Sequence, residues 1–239
     1  MKKTKLTKFI NKYYLNGQVN SVILGSKDNV LITKFTTEDR TLLGELSMNS
    51  WDAENAILGV FNTEHLIKLL GVLSDDIQLD LQKNGNQITA LKLSDDYATV
   101  NFMLADISIF SELPKIKYTP EFQIKIEIDT KFISTFIAGT NALSEGDTFT
   151  VLSSNNTVSI VIGHSNINTN TVTIPVKSQI FEPLQNITFN AELFKNILVA
   201  NKECEIGLLE ISSEGLSRIT FNVDEYKAVY HLISNSELE

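Results

Sequence analysis

The sequence predicts an α+β chain built as two similar domains, each made of two β-α-β-β-β units. Three observations carry this. First, a short amphipathic helix pattern recurs four times, with apolar doublets about four residues apart: Phe9-Ile10/Tyr13-Tyr14, Leu66-Ile67/Leu69-Leu70 (irregular by one position), Phe132-Ile133/Phe136-Ile137 and Leu193-Phe194/Ile197-Leu198. Second, strand-like stretches separated by polar turns follow each helix. Third, Ala105 to Glu121 breaks the pattern: it carries Pro114 and Pro120, half of the chain's 4 prolines, and no sustained periodicity. That stretch reads as a linker, residues 105–121, between domains at 1–104 and 122–239. An internal repeat constrains architecture strongly, because each unit must bury its apolar face on a neighbour.

The first unit opens with a helix. Thr4 or Thr7 can cap it, Leu6, Phe9, Ile10, Tyr13 and Tyr14 line one side, and Asn16-Gly17 stops it. Strands are expected at Val19–Leu24, Asn29–Phe35 and Thr41–Met48, with polar turns at Lys27-Asp28-Asn29 and Thr37-Glu38-Asp39. The second unit starts with a strand at Asn55–Phe61. Asn62 or Thr63 then caps a helix through Leu73, and strands follow at Ile77–Gln82, Gln87–Leu93 and Tyr97–Leu104. Asn84-Gly85 is a hairpin turn, and Ser94-Asp95-Asp96 is the next turn.

The third unit repeats the second. Phe122–Ile128 alternates apolar and polar, Asp129 or Thr130 caps a helix to about Ala142, and strands follow at Thr148–Leu152, Thr157–Ile162 and Asn168–Ile174. The fourth has a strand at Ile187–Phe189, a cap at Asn190, a helix to about Val199, and strands at Glu205–Ile211, Leu216–Val223 and Tyr226–Ile233. One unit of ~55 residues is too small to be secure alone. A buried Leu, Ile or Phe contributes roughly 1.5–3 kcal/mol, and the four helices supply more than a dozen such side chains that need cover.

The chain has 239 residues, 43% hydrophobic and 21% charged, an ordinary globular composition. Its net charge of -9 is unevenly spread. Met1 to Lys12 holds Lys2, Lys3, Lys5, Lys8 and Lys12 and no acid, so a basic face on an acidic body is allowed. Cys204 is the only cysteine, which excludes an intrachain disulfide and favours a reducing compartment. The N-terminus lacks the apolar core of a signal peptide, and no apolar run approaches the ~20 residues that cross a bilayer. A cytoplasmic location is expected, and the N-x-T triplets at Asn155 and Asn186 are then incidental.

Paired β-α-β-β-β units joined by a proline-bearing linker resemble the DNA polymerase sliding clamps, and within them the T-even tailed-phage type. The first unit lacks its leading strand, as in that type. The segment from Phe61-Asn62-Thr63-Glu64-His65-Leu66 through Ser74-Asp75-Asp76 resembles its second helix and acidic exit turn. The run from Asn84-Gly85-Asn86 through Leu104 resembles the hairpin that follows. The resemblance implies the DNA-clamp fold: antiparallel sheets outside, helices lining a channel, and a homotrimeric ring of six similar domains around duplex DNA. It implies a partner DNA polymerase tethered for processive synthesis and an ATP-dependent clamp loader, with no cofactor and no catalytic residue. The T-even type also activates late phage transcription.

Helices that line a DNA channel should carry cations opposite their apolar doublets. Lys3 precedes Lys5, Lys8 and Lys12, which are spaced i, i+3, i+7 on helix one; helix two offers His65 and Lys68, helix three Lys131, and helix four Lys195 and Lys202, beside Glu192 and Glu203. The plainer reading of each lysine is a solvated helix face. Loose, screened phosphate contacts suit a ring that slides. With only Arg40 and Arg218 present, bidentate guanine readout is not expected. Partners of clamps insert a short hydrophobic peptide near the interdomain linker. Leu113, Pro114, Ile116 and Tyr118 are candidates for the rim of that pocket, with Ile233 and Leu238 nearby. The same side chains could simply pin the linker.

Catalytic readings fare poorly. His65, His164 and His231 are scattered, none at metal-ligand spacing from another His or from Cys204. There is no phosphate loop and no G-x-S-x-G. Asp75-Asp76 and Asp95-Asp96 sit at expected turns, Cys204 reads as a small core residue, and Trp51 as an anchor at a strand crossing. The chain is therefore not expected to be an enzyme or to bind a metal. The rival reading is a structural virion or scaffold oligomer of duplicated α+β units with no DNA function.

Overall fold

Strand pairing decides how the four repeats combine. The computed structural model describes residues 1–235 apart from 52, 86, 144–145, 155–156, 166–168, 181 and 183. Asn86, Asn155, Leu238 and the expected strand start at Asn168 lie outside the described residues. The chain divides into two units. The first holds residues 1–38, 44–114 and 224–228; the second holds 39–43, 115–223 and the chain from 229 on.

In the first unit, α1 (Lys3–Tyr14) leads into β1 (Val22–Lys27), β2 (Val30–Thr36) and β3 (Leu42–Asn49). Then come β4 (Ala56–Val60), α2 (Thr63–Leu70), β5 (Gln78–Asn84), β6 (Gln87–Ser94) and β7 (Thr99–Met103). β4 does not join the strands that follow it. It pairs antiparallel with β1, giving the order β4-β1-β2-β3, while β5-β6-β7 form a separate sheet. Residues 1–3 run beside the start of that sheet: Met1 and Ile77 exchange hydrogen bonds of 2.8 and 3.0 Å, and Lys3 N–H donates to Asp75 O at 2.7 Å.

The second unit contains β8 (Ile124–Asp129), α3 (Thr130–Ala142), β9 (Thr148–Ser154), β10 (Thr157–Ile162) and β11 (Val172–Val176). These are followed by β12 (Ser178–Ile180), β13 (Ile187–Asn190), α4 (Ala191–Ala200), β14 (Ile206–Ile211), β15 (Leu216–Val223) and β16 (Tyr226–Ile233). Here the exchange is complete. β8 pairs with β14 in the order β12-β8-β14-β15-β16, and β13 pairs with β9 in the order β11-β10-β9-β13.

Alternating burial explains the strands. β3 and β16 bury every second side chain, as half-covered strands do. Three helices start on caps the sequence supplies: Asn62 accepts from His65 N–H at 2.8 Å, Asp129 from Phe132 N–H at 2.7 Å, and Asn190 from Leu193 N–H at 2.7 Å. Helix α1 differs from expectation, because neither Thr4 nor Thr7 caps it. Asp75 accepts from Thr4 N–H at 2.8 Å, so the cap comes from 71 residues away. That N–H, with Lys2 and Lys3 nearby, holds the Asp75 carboxyl below its ordinary range. Helix α2 ends at Leu70 with Gly71 as its C-cap, three residues short of the expected Leu73. The strand expected at 168–174 is seen at Val172–Val176, and β12 is a short edge strand the sequence pattern missed.

Each unit has its own core. In the first, α1 packs on α2, and Phe9, Tyr13 and Phe35 form a ring chain with centroids 6.0 and 6.2 Å apart. Tyr13 and Thr63 hydroxyls lie 3.3 Å apart, and burial pushes the Tyr13 phenol above its usual range. In the second, α3 packs on α4, and Phe194 sits 4.9 Å from Phe136 and 4.8 Å from Phe149. Pairs of this kind add roughly 0.5–1.5 kcal/mol beyond area burial. Cys204 is buried there and donates to Ile206 O at 3.1 Å. Trp51 is buried in the first unit, its backbone N–H on Asn29 O at 2.8 Å. No helix among the described residues is long and apolar enough to cross a membrane.

Both units lay a phenylalanine ring over a strand glycine. Phe35 covers Gly44, and Phe221 covers Gly207, where an added Cβ would fall 2.5 Å from the ring. Gly207→Ala should therefore lower the unfolding free energy by about 1–3 kcal/mol through overpacking. Gly25→Ala, where an added Cβ meets nothing nearer than 4.0 Å, should not lower it. Urea titration followed by fluorescence checks both.

Candidate nucleic-acid interface and partner surfaces

The expected cations fall into three groups once their partners are known. Lys8 on α1, Lys131 at the start of α3 and Lys202 in the turn after α4 are exposed, and none makes an ion pair or side-chain hydrogen bond among the described residues. These three are free to meet a phosphate. His65 is exposed on α2, its ring centroid 6.5 Å from that of Phe102.

The second group is exposed or half-buried but engaged. Lys68 bonds Glu64 at 2.5 Å, one helical turn back. That bond lowers the Glu64 pKa and raises that of Lys68. Such exposed pairs are worth little, so Lys68 can exchange Glu64 for a phosphate at low cost. Lys195 pairs with Glu192 and lies 3.5 Å from Asn141 Oδ1. Lys3 donates to the carbonyl of Leu73. Lys5 is bound to Glu225 at 3.1 Å and to Ser50 O at 3.3 Å, with a side chain only 22% exposed.

Lys12 forms the third group and corrects the expectation. It is fully buried, with its ammonium 5.5 Å from the centroid of the Tyr226 ring. The spacing i, i+7 does put Lys5 and Lys12 on one side of α1. That side is covered by residues 224–228, which belong to the first unit. Tyr226 donates its hydroxyl to Lys5 O at 2.9 Å, and Asn49 N–H donates to Glu225 O at 2.9 Å. Lys12 is thus a packing residue with a cation–π contact, not part of a DNA-facing row.

The acidic pairs build turns. Asp95 accepts N–H groups from Ser74, Tyr97 and Ala98, which hold its carboxyl far below the usual range. Asp76 pairs with Lys2 at 2.7 Å. No cluster of three or more metal-ligating side chains occurs among the described residues.

The candidate pocket rim divides between the units. Leu113 and Pro114, in the first, are half-buried. In the second, Ile116, Tyr118 and Ile233 are exposed by 39%, 65% and 53%. None of the five lines the main cavities within either unit. The sequence reading missed a groove of about 930 Å³ in the first unit, walled by Ile32, Ile57, Ile88 and Ile107 over a Gly25 floor. Its signal was present: Gly25 stands opposite Ile32 on β2 and Ile57 on β4, a glycine between two outward isoleucines.

No protein-family profile and no curated protein matches this chain. Solved structures do. The proliferating cellular nuclear antigen of Entamoeba histolytica superposes with a TM-score of 0.75 at 15% identity, over 98% of this chain and 96% of that one. The PCNA2–PCNA3 complex of Sulfolobus tokodaii gives 0.74 at 15% identity, over 99% and 98%. The chain is an α+β protein with this sliding-clamp fold along nearly its whole length.

The lysine groups differ in what charge reversal should cost. Lys12→Glu places a carboxylate in a fully buried site and should destabilise the chain by about 3 kcal/mol or more. Lys8→Glu should stay within ~0.5 kcal/mol. Chemical denaturation of the two variants separates these outcomes; equal stability would return Lys12 to the surface.

Proposed function

We propose that this chain is the subunit of a homotrimeric sliding clamp that encircles duplex DNA without reading its sequence and tethers a DNA polymerase. The clamp fold over 98% of the chain is the observation that carries the reading. It is a topological device with no catalytic role, loaded by an ATP-dependent clamp loader. Lys8, Lys131 and Lys202, with His65 and Lys68, are the DNA-facing cations. Lys3, Lys5 and Lys195 act mainly in holding the helices, and Ile116, Tyr118 and Ile233 are docking residues for a partner's apolar peptide.

Two sheet ends support ring closure. β7 ends the three-stranded sheet and β11 ends the sheet of β9 and β10. A head-to-tail pairing of β7 in one copy with β11 in the next closes when the rotation matches three copies. Pro175 removes one donor from β11, which limits such an edge to few backbone bonds. Helix α2 with its acidic exit turn Asp75-Asp76 supports assignment to the T-even phage type, acting in the host cytoplasm, with late-transcription activation as its second role.

Light scattering after size exclusion tests the ring: a species of three times 26.7 kDa is expected. A monomer at all concentrations overturns it. On DNA, Lys8→Glu/Lys131→Glu/Lys202→Glu should keep the trimer and shorten polymerase runs on a primed circular template. It should also flatten the log–log salt slope by about 1 for each phosphate no longer neutralised. Unchanged synthesis by an intact trimer favours the scaffold reading.

A further inference from the structure

The groove of the first unit lies along an unfinished sheet edge. Gly59 and Ala105 form an antiparallel bridge, with Ala105 N–H on Gly59 O at 2.9 Å. In an antiparallel ladder, hydrogen-bonded pairs recur every second residue. The next pair along this edge is Ile57 with Ile107, and the one after is Asn55 with Ile109. Because the carbonyl of Gly59 points away from β1, the N–H and C=O of Ile57 point away as well. They face the groove.

The chain leaves the edge after Ala105 for a local reason. The Asp106 carboxylate accepts Ser108 N–H at 2.8 Å and Gln87 Nε2 at 3.2 Å, and residues 107–109 turn as a short 3-10 helix. The turn leaves Ile57, Ile107 and Ile109 exposed by 59%, 48% and 56%. Ile57 and Ile107 stand on opposite walls of the same space.

We propose that residues 106–109 are a strap and that the groove is its open state: on closing, the strap extends β4's outer edge and sets Ile107 against Ile57. Closing trades the Asp106 cap and the Phe61–Phe110 ring contact, centroids 6.4 Å apart, for a ladder pair and an Ile–Ile contact. It draws the linker's start along β4 by two residues, roughly 6.6 Å, and hides the groove from any apolar ligand. The proposal rests on the bridge register and does not depend on the ring.

Disulfide trapping tests it. A hydrogen-bonded antiparallel pair holds Cα atoms about 5.5 Å apart, within disulfide range. Under mild oxidation, Ile57→Cys/Ile107→Cys should cross-link, mapped by peptide mass; Cys204 is buried and serves as the internal control. Adding Asp106→Ala removes the cap and should speed cross-linking roughly fivefold. Ile57→Cys/Ser108→Cys, one residue out of register, should cross-link slowly. Comparable rates for the two pairs, or no effect of Asp106→Ala, overturn the strap. In a chain without added cysteines, Asp106→Ala should slow hydrogen exchange at the Ile57 and Ile107 amides together; unchanged exchange also overturns it.

Discussion

The exchange of leading strands is the constraint on which the rest of this structure depends. β8 heads the third repeat but completes the sheet of the fourth, and β13 heads the fourth but completes the sheet of the third. β4 does the same for β1. The second, third and fourth repeats each give their leading strand to another repeat's sheet, so none is paired within itself alone. In the first repeat, Met1 to Lys3 take the corresponding place against Asp75 to Ile77. The same residues fix α1, whose cap is Asp75. The place of α1 and its lysines is therefore set by a hydrogen-bond network that runs through the N-terminus.

That network explains why the candidate site was only partly legible. Helix periodicity correctly gave α1 an apolar side and placed lysines along the remainder. It treated all of that remainder as solvent. Residues 224–228 cover one flank, and covering it buries Lys12 and engages Lys5. Nothing within twelve residues of sequence signals a partner more than 200 positions away. Lys8 escapes because it lies off that flank. Asp129 at the start of α3 is taken up by the Phe132 N–H rather than by Lys131, whereas Lys195 is held by Glu192 one turn before it. Free charge here is a tertiary property written over a local pattern.

The fold was more legible because its signals are local. Asn62, Asp129 and Asn190 each cap a helix through their own side chains, and Asn16-Gly17 stops α1 where left-handed backbone is needed, with φ of 57° and 98°. Alternation located β15 and β16 to the residue. The failures have physical causes. Thr4 lost its capping role to Asp75, Gly71 stopped α2 before its apolar run ended, and β12 is too short to show a period. Pairing across repeats was the deeper omission, since a repeat in sequence suggests self-contained units and the backbone made interlocked ones.

Interlocking also separates what is held constant from what is free to vary. β7 and β16 end in the same way: the N–H just beyond each lands on a β4 or β13 carbonyl, Ala105 on Gly59 at 2.9 Å and Asn235 on Thr188 at 2.8 Å. The backbone device is duplicated. The side chains around it are not. Gly59 faces Ile23 across β4 and β1, beside an isoleucine-walled groove, while Thr188 faces Thr150 with hydroxyls 2.9 Å apart, beside a cavity of about 810 Å³ lined by threonine, serine and amide groups. Backbone hydrogen bonds tolerate either chemistry, so stability places no demand on the choice. The same backbone device therefore stands beside an apolar groove in the first unit and a hydroxyl-lined cavity in the second.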